Sequence, residues 1–151
     1  MEKTVTIGLL GFGTVGAGVV RVLKENAYDI RQKVGAPVQI KTVLVRDKHK
    51  ARPYMENLHL TDDFEEILQD DGIDIIVELM GGLHPAQEYM LAAMKAGKHV
   101  VTANKDVVAQ FGKDMFAAAG DYRTGFRFEA SVGGGKPGRS EERRVGKECR
   151  S

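Results

Sequence analysis

The sequence predicts an α/β protein built on a doubly wound parallel sheet. Short apolar, β-branched runs alternate with stretches of helical periodicity from Thr4 to Val132. A G-x-G-x-x-G stands between the first such run and the first helical stretch. The chain has 151 residues and is 42% hydrophobic. That is enough to bury one core of this kind and too little for two large ones.

"TVTIGLL" (Thr4–Leu10) is short, apolar and β-branched, which suits a strand buried on both faces. Glycines follow, and then Val15, Val19, Val22 and Leu23 fall at helical spacing through about Asn26. "NAYDIRQKVGAP" reads as a frayed helix end and a loop, and Val38–Val45 as a second strand. The polar "RDKHKARPYMENLHL" reads as irregular connection. "TDDFEEIL" starts a short helix, with Thr61 or Asp62 as N-cap candidate and acids in its first turn. Gly72–Leu79 is a third strand. Pro85 and Gly97 stand at the expected start and end of the next helix. "KHVVTA" is a fourth strand, and Val108, Phe111, Met115 and Ala118 stripe a helix that stops near Gly120. Gly125–Val132 is a fifth strand. Strands separated by helices in this way pair in parallel. No internal repeat interrupts the pattern.

Composition excludes several classes. The net charge is +1, and residues 139–151 alone hold Arg139, Arg143, Arg144, Lys147 and Arg150 against Glu141, Glu142 and Glu148. The positive balance therefore belongs to the tail, and no pull toward nucleic acid or membrane is implied. The single cysteine, Cys149, also lies there, so the body has neither a disulfide framework nor a cysteine metal site. His49, His59, His84 and His99 have no ligand spacing. No apolar run approaches the ~20 residues of a transmembrane helix. "MEKTVTIGLL" is too short in its apolar part for a signal sequence and reads as the first strand of a cytoplasmic protein.

The glycine turn carries the first functional expectation. Gly11 permits a tight turn, Gly13 lets backbone approach a pyrophosphate, and Gly16 lets the helix pack close to the strand. The helix start then offers unpaired N–H groups to the anion. This is the pattern of a Rossmann-type dinucleotide site, the plain alternative being glycines that only make a turn. The second strand ends "VLVRDK". Arg46 and Lys48 suit the 2′-phosphate of NADP, Asp47 would suit the free ribose diol of NAD, and a solvated charged loop is the plain alternative.

Ligands of such sheets collect at the carboxyl ends of strands. "VELMGG" places Gly81 and Gly82 where backbone passes close to the nicotinamide ribose. "VVTANKDVV" places Thr102, Asn104 and Lys105 at the next strand end. An ammonium there binds a substrate carboxylate or polarises a carbonyl oxygen. As an ordinary surface lysine it would oppose the helix dipole, an unfavourable local choice that points toward function.

Together "GLLGFGTVGAGVV", "VLVRD", "IVELMGG", "A..AG.HVVTANK" and "FEASVGGG.P" resemble the bacterial monofunctional homoserine dehydrogenases over roughly Lys3 to Pro137. The resemblance implies hydride transfer between NAD(P)H and aspartate 4-semialdehyde or L-homoserine, a step toward threonine, methionine and isoleucine. It implies that residues among Phe12, Gly13, Thr14 and Val15 contact the pyrophosphate and nicotinamide ribose; Gly11, Gly16, Gly81, Thr102 and Lys105 complete the expected cofactor site. It implies that Arg46 and Lys48 meet a 2′-phosphate and that Lys105 is catalytic. It also implies a sodium ion held by backbone oxygens of Glu129, Val132, Gly134 and residue 136, where this chain has Lys136 in place of an apolar residue. A homo-oligomeric full-length protein is implied as well.

The family continues into a substrate domain, whereas "RSEERRVGKECRS" resembles one reading frame of a DNA-sequencing adapter. The expected organisation is an NAD(P)-binding domain over residues 1–137, its junction at 129–137, and a foreign tail over 138–151. Substrate-binding carboxylates and a second catalytic lysine would lie in the further domain.

Overall fold

The computed structural model describes residues 4–47 and 58–128. Their elements in chain order are β1 (Val5–Leu10), α1 (Thr14–Glu25), α2 (Ala27–Val34), β2 (Val38–Leu44), β3 (His59–Thr61) and α3 (Phe64–Leu68). Then follow β4 (Ile75–Glu78), α4 (Ala86–Lys95), β5 (His99–Thr102), α5 (Lys105–Tyr122) and β6 (Phe126–Phe128). The strands form one parallel sheet in the order β3-β2-β1-β4-β5-β6. This is the strand order of a Rossmann-type fold.

The topology follows from handedness. The chain starts in the middle of the sheet, winds outward through β2 and β3, and returns past β1 to lay down β4, β5 and β6. Right-handed crossovers in opposite directions put helices on opposite faces. One face packs Leu10, Leu44, Ile76 and Val100 against Phe64 and Ile67 of α3, Met90 and Met94 of α4, and Val107 and Met115 of α5. The other packs Ile7, Leu9, Val43 and Val77 against Phe12 and Val20. Full burial of each large side chain is worth about 1.5–3 kcal/mol. The winding direction reverses between β1 and β4, so a crevice opens at their carboxyl ends.

Four local features differ from the sequence reading. The sheet has six described strands rather than five, because His59–Thr61 pairs with Thr42–Leu44 at the sheet edge. Three residues are too few to show a period. The stretch read as a frayed helix end and a loop forms a separate helix, α2, ended by Gly35 at φ 86. It buries none of its residues, so it carries no core-facing stripe to betray it. The cap of α3 is Asp63, whose carboxylate accepts the Glu65 N–H at 3.0 Å. Thr61 closes β3 instead and accepts the Asp63 N–H at 3.0 Å. Helix α5 runs through Gly120 and ends at Arg123, which adopts a left-handed φ of 58. Of the fifth predicted strand, residues 126–128 form β6; residues 129–132, the domain junction and the tail fall outside the described residues.

Lys98 ties the amino-terminal side of the sheet. It is buried, and its Nζ donates to the carbonyl oxygens of Asp70 at 2.6 Å and Ile73 at 3.0 Å. The Asp70 carboxylate pairs with Lys41 at 2.7 Å and accepts the Gly72 N–H at 2.9 Å. The Lys41 hydrogen bond, aided by that N–H, holds Asp70 below the ordinary carboxylate range against the opposing effect of burial. Lys98→Met keeps the length of the stem and deletes the donor. The Asp70 carbonyl retains the Ile73 N–H at 3.1 Å, but the Ile73 carbonyl loses its ammonium. We expect a loss of about 1–3 kcal/mol, read by denaturant unfolding of the two proteins side by side.

Candidate functional site

Sheet register lines up the last residues of four strands. Leu10 pairs with Leu44 on one side and Glu78 on the other, and Glu78 pairs with Thr102. The segments beyond that row stand side by side: 45–47, 11–13, 79–82 and 103–105. At ~4.8 Å between strands they extend over roughly 14 Å. Backbone hydrogen bonds continue past the strand ends. Gly11 N–H donates to the Leu44 carbonyl at 2.9 Å, Leu79 N–H to Leu10 at 2.9 Å, and Ala103 N–H to Glu78 at 3.3 Å.

Two of the three glycines meet steric demands of the fold itself. Gly11 turns the chain at φ 97, a backbone that L side chains rarely adopt. A Cβ at Gly16 would lie 2.8 Å from the Gly11 carbonyl oxygen, so only glycine lets α1 sit this close to the turn. A Cβ at Gly13 would meet nothing within 4 Å. Packing therefore does not demand glycine there; the space it leaves open does. Gly13 is also the N-cap of α1, which has no side-chain cap and no acid in its first turn. Uncapped N–H groups, a favourable dipole and clear access together fit an anion such as a pyrophosphate. Thr14 and Val15 are the first two residues of α1. Phe12 is buried in the core of the second face, so only its backbone borders the crevice.

Arg46 and Asp47 are exposed just beyond β2 and next to the glycine turn. Lys48 lies outside the described residues, as do Glu129, Val132, Gly134 and Lys136. Among the described residues no group of three or more His, Cys, Asp or Glu side chains stands ready to hold a metal ion. No described helix is long and apolar enough to cross a membrane.

On the far side of the crevice a hydrogen-bonded network replaces open backbone. Gly81 and Gly82 both adopt positive φ, 80 and 74. Glu78 is fully buried, and one of its carboxylate oxygens accepts the N–H groups of Met80 at 2.9 Å and Gly81 at 3.1 Å. Its other oxygen accepts the Thr102 hydroxyl. Thr102 is equally buried, and its oxygen accepts the Asn104 N–H at 3.0 Å. Asn104 caps α5 by accepting the Val107 N–H at 3.2 Å, while its amide nitrogen donates to the Gly82 carbonyl at 2.5 Å. Lys105 is the first residue of α5 and is exposed.

The structure thus gathers Gly11–Gly16, Arg46, Gly81, Thr102 and Lys105 at one edge of the sheet. Thr102 presents no hydroxyl to the crevice, because it is fully buried and its proton goes to Glu78. Glu78 is the organising residue that sequence reasoning missed. Its signal was there: an acid directly after the apolar run Ile75, Ile76 and Val77.

The model of the family described as homoserine dehydrogenase, NAD binding domain, matches residues 11–129. The homoserine dehydrogenase of Bacillus subtilis is 40% identical over 136 residues, covering 89% of this chain and 31% of that protein. Among solved structures, homoserine dehydrogenase from S. aureus superposes with a TM-score of 0.81 at 45% identity, covering 87% of this chain and 33% of that one. The homoserine dehydrogenase from Thiobacillus denitrificans superposes at 0.82 with 43% identity, covering 86% of this chain and 30% of that one. The chain spans about a third of the length of the relatives it matches.

Proposed function

The chain belongs to the family of homoserine dehydrogenase NAD-binding domains, and from that premise we propose that it is the cofactor-binding part of a homoserine dehydrogenase. The reaction would interconvert L-homoserine and aspartate 4-semialdehyde. The observation that carries this reading is Gly13, a glycine that packing does not require, at the uncapped start of α1.

The roles follow the edge of the sheet. N–H groups at the start of α1 receive the pyrophosphate, with Gly13 leaving room for its approach. Arg46 lies on the adenosine side, and its always-charged fork suits a 2′-phosphate. We therefore assign NADPH as the preferred cofactor and the neighbouring Asp47 as the source of any residual use of NADH. The Met80–Gly82 turn borders the nicotinamide ribose. A bound nicotinamide dinucleotide would supply or accept the hydride. Lys105 places an ammonium at the carbonyl oxygen of the semialdehyde, where it stabilises the negative charge that develops as hydride arrives. Thr102 supports the wall of the crevice from behind.

We take residues 1–137 as the cofactor unit and 138–151 as a foreign tail. The substrate domain that the family adds would supply the groups that grip the amino acid.

Cofactor choice tests the site. Arg46→Ala should weaken NADPH binding by about tenfold or more, the scale of one charge-assisted hydrogen bond, and change NADH binding by less than about threefold. Titration of each nucleotide against intrinsic cofactor fluorescence reads both. Equal losses for the two nucleotides would remove Arg46 from the 2′-phosphate.

A further inference from the structure

We propose that Glu78 and Asn104 are positioning residues that clasp the Met80–Gly82 turn from both sides and lock it to the start of α5. The turn has two consecutive residues at positive φ, so its own backbone preferences leave it many conformations. It has no side chain longer than a hydrogen at Gly81 or Gly82 with which to pack, and a Cβ at either would meet nothing within 4 Å. Met80 anchors the start of the turn against the core, and what fixes the two glycines is polar. The buried Glu78 carboxylate takes the N–H groups of Met80 and Gly81 at its beginning. The Asn104 amide takes the Gly82 carbonyl at its end.

The two clasps are one network. Thr102 donates to Glu78 and accepts from the Asn104 backbone, which joins the carboxyl ends of β4 and β5. Every partner of the Glu78 carboxylate is a donor, and every polar atom of the Asn104 side chain is used. Asn104 performs two separable tasks. Its oxygen caps α5, and its nitrogen holds the turn. A cap alone would be served equally well by aspartate. The donor to Gly82 is what requires asparagine. Because Lys105 follows directly, any shift of the turn is transmitted to the residue that carries the ammonium.

This inference rests on the dinucleotide reading, since it gives the turn the nicotinamide side of the crevice. It separates the two halves of the ligand. The adenosine half lies against β2 and the glycine turn, whose hydrogen bonds do not include the network.

Asn104→Asp is the sharpest variant. It keeps the cap, and at the helix start its charge agrees with the dipole, but it presents an acceptor to the Gly82 carbonyl. Two measurements on the 151-residue chain decide. In the first, NADPH and 2′,5′-ADP are titrated against wild type, Asn104→Asp, Glu78→Gln and the double variant. NADPH affinity should fall about tenfold or more in each single variant, with 2′,5′-ADP unchanged within about twofold. The double variant should be little worse than the weaker single one, as expected of residues in one network. Unchanged NADPH affinity in the single variants, or multiplicative losses in the double, would overturn the clasp. Loss of both ligands by wild type would instead overturn the dinucleotide reading. The second measurement needs no ligand: amide hydrogen exchange at Met80 and Gly81, followed by NMR. Asn104→Asp touches neither amide, yet exchange at both should rise about tenfold if the turn is held from both ends. Unchanged exchange would contradict the proposal even where nucleotide binding is lost.

Discussion

Gly16→Val should destabilise the fold by about 3 kcal/mol, whereas Gly13→Val should leave stability within about 1 kcal/mol and abolish dinucleotide binding. The two glycines stand three residues apart in one motif, and the structure gives them opposite physical reasons. At Gly16 a Cβ would lie 2.8 Å from a backbone carbonyl oxygen, which has no flexible end to move aside. Either α1 shifts away from β1 or the turn opens, and each route loosens Leu9 and Val20 in the second core. A cost of that size is a large share of the ~5–15 kcal/mol that holds a domain together. Gly13 has open space where a side chain would go. A valine there costs the fold little but occupies the approach to the α1 N–H groups. Chemical denaturation and nucleotide titration of both variants check the contrast. If both lose stability equally, the division of labour is wrong.

Lys105→Ala is the second large effect. The variant should lower turnover about 10²- to 10³-fold, the scale of one electrostatic group at a developing oxyanion, in a protein that carries the family's substrate domain. Fusing residues 1–128 to the remaining two-thirds of the Bacillus subtilis relative provides such a protein. Cofactor affinity should change by less than about threefold. Stability should hold, because Lys105 is exposed and a cation at the first residue of α5 opposes the dipole. A loss in kcat with cofactor binding intact identifies a group that acts on the reacting carbonyl. A loss confined to cofactor binding would make Lys105 a cofactor ligand only.

How far the sequence foretold this depends on the length of each element. β1, β4 and β5 carry apolar, β-branched runs, β2 alternates before it turns apolar at Val43 and Leu44, and the sheet core shows in them directly. β3 is three residues at an edge, too short for periodicity, and it is held by pairing with β2 that no local signal announces. α2 buries no residue, so its helix shows no stripe. The turn at Gly11 and the close packing at Gly16 were legible because each answers a steric demand tied to its position. The Glu78 network was not. Its partners come from residues 78–82 and 102–104, and only register brings Glu78 opposite Thr102. The acid at the strand end was visible in the sequence; its burial and what it holds were not.

Direct titration of NADPH into the folded chain, with Gly13→Val as the control, tests the central claim most directly. The account predicts saturable one-to-one binding to wild type and none to the variant, both having native circular dichroism. A folded wild type that fails to bind, or a Gly13→Val variant that binds as well as wild type, would contradict it.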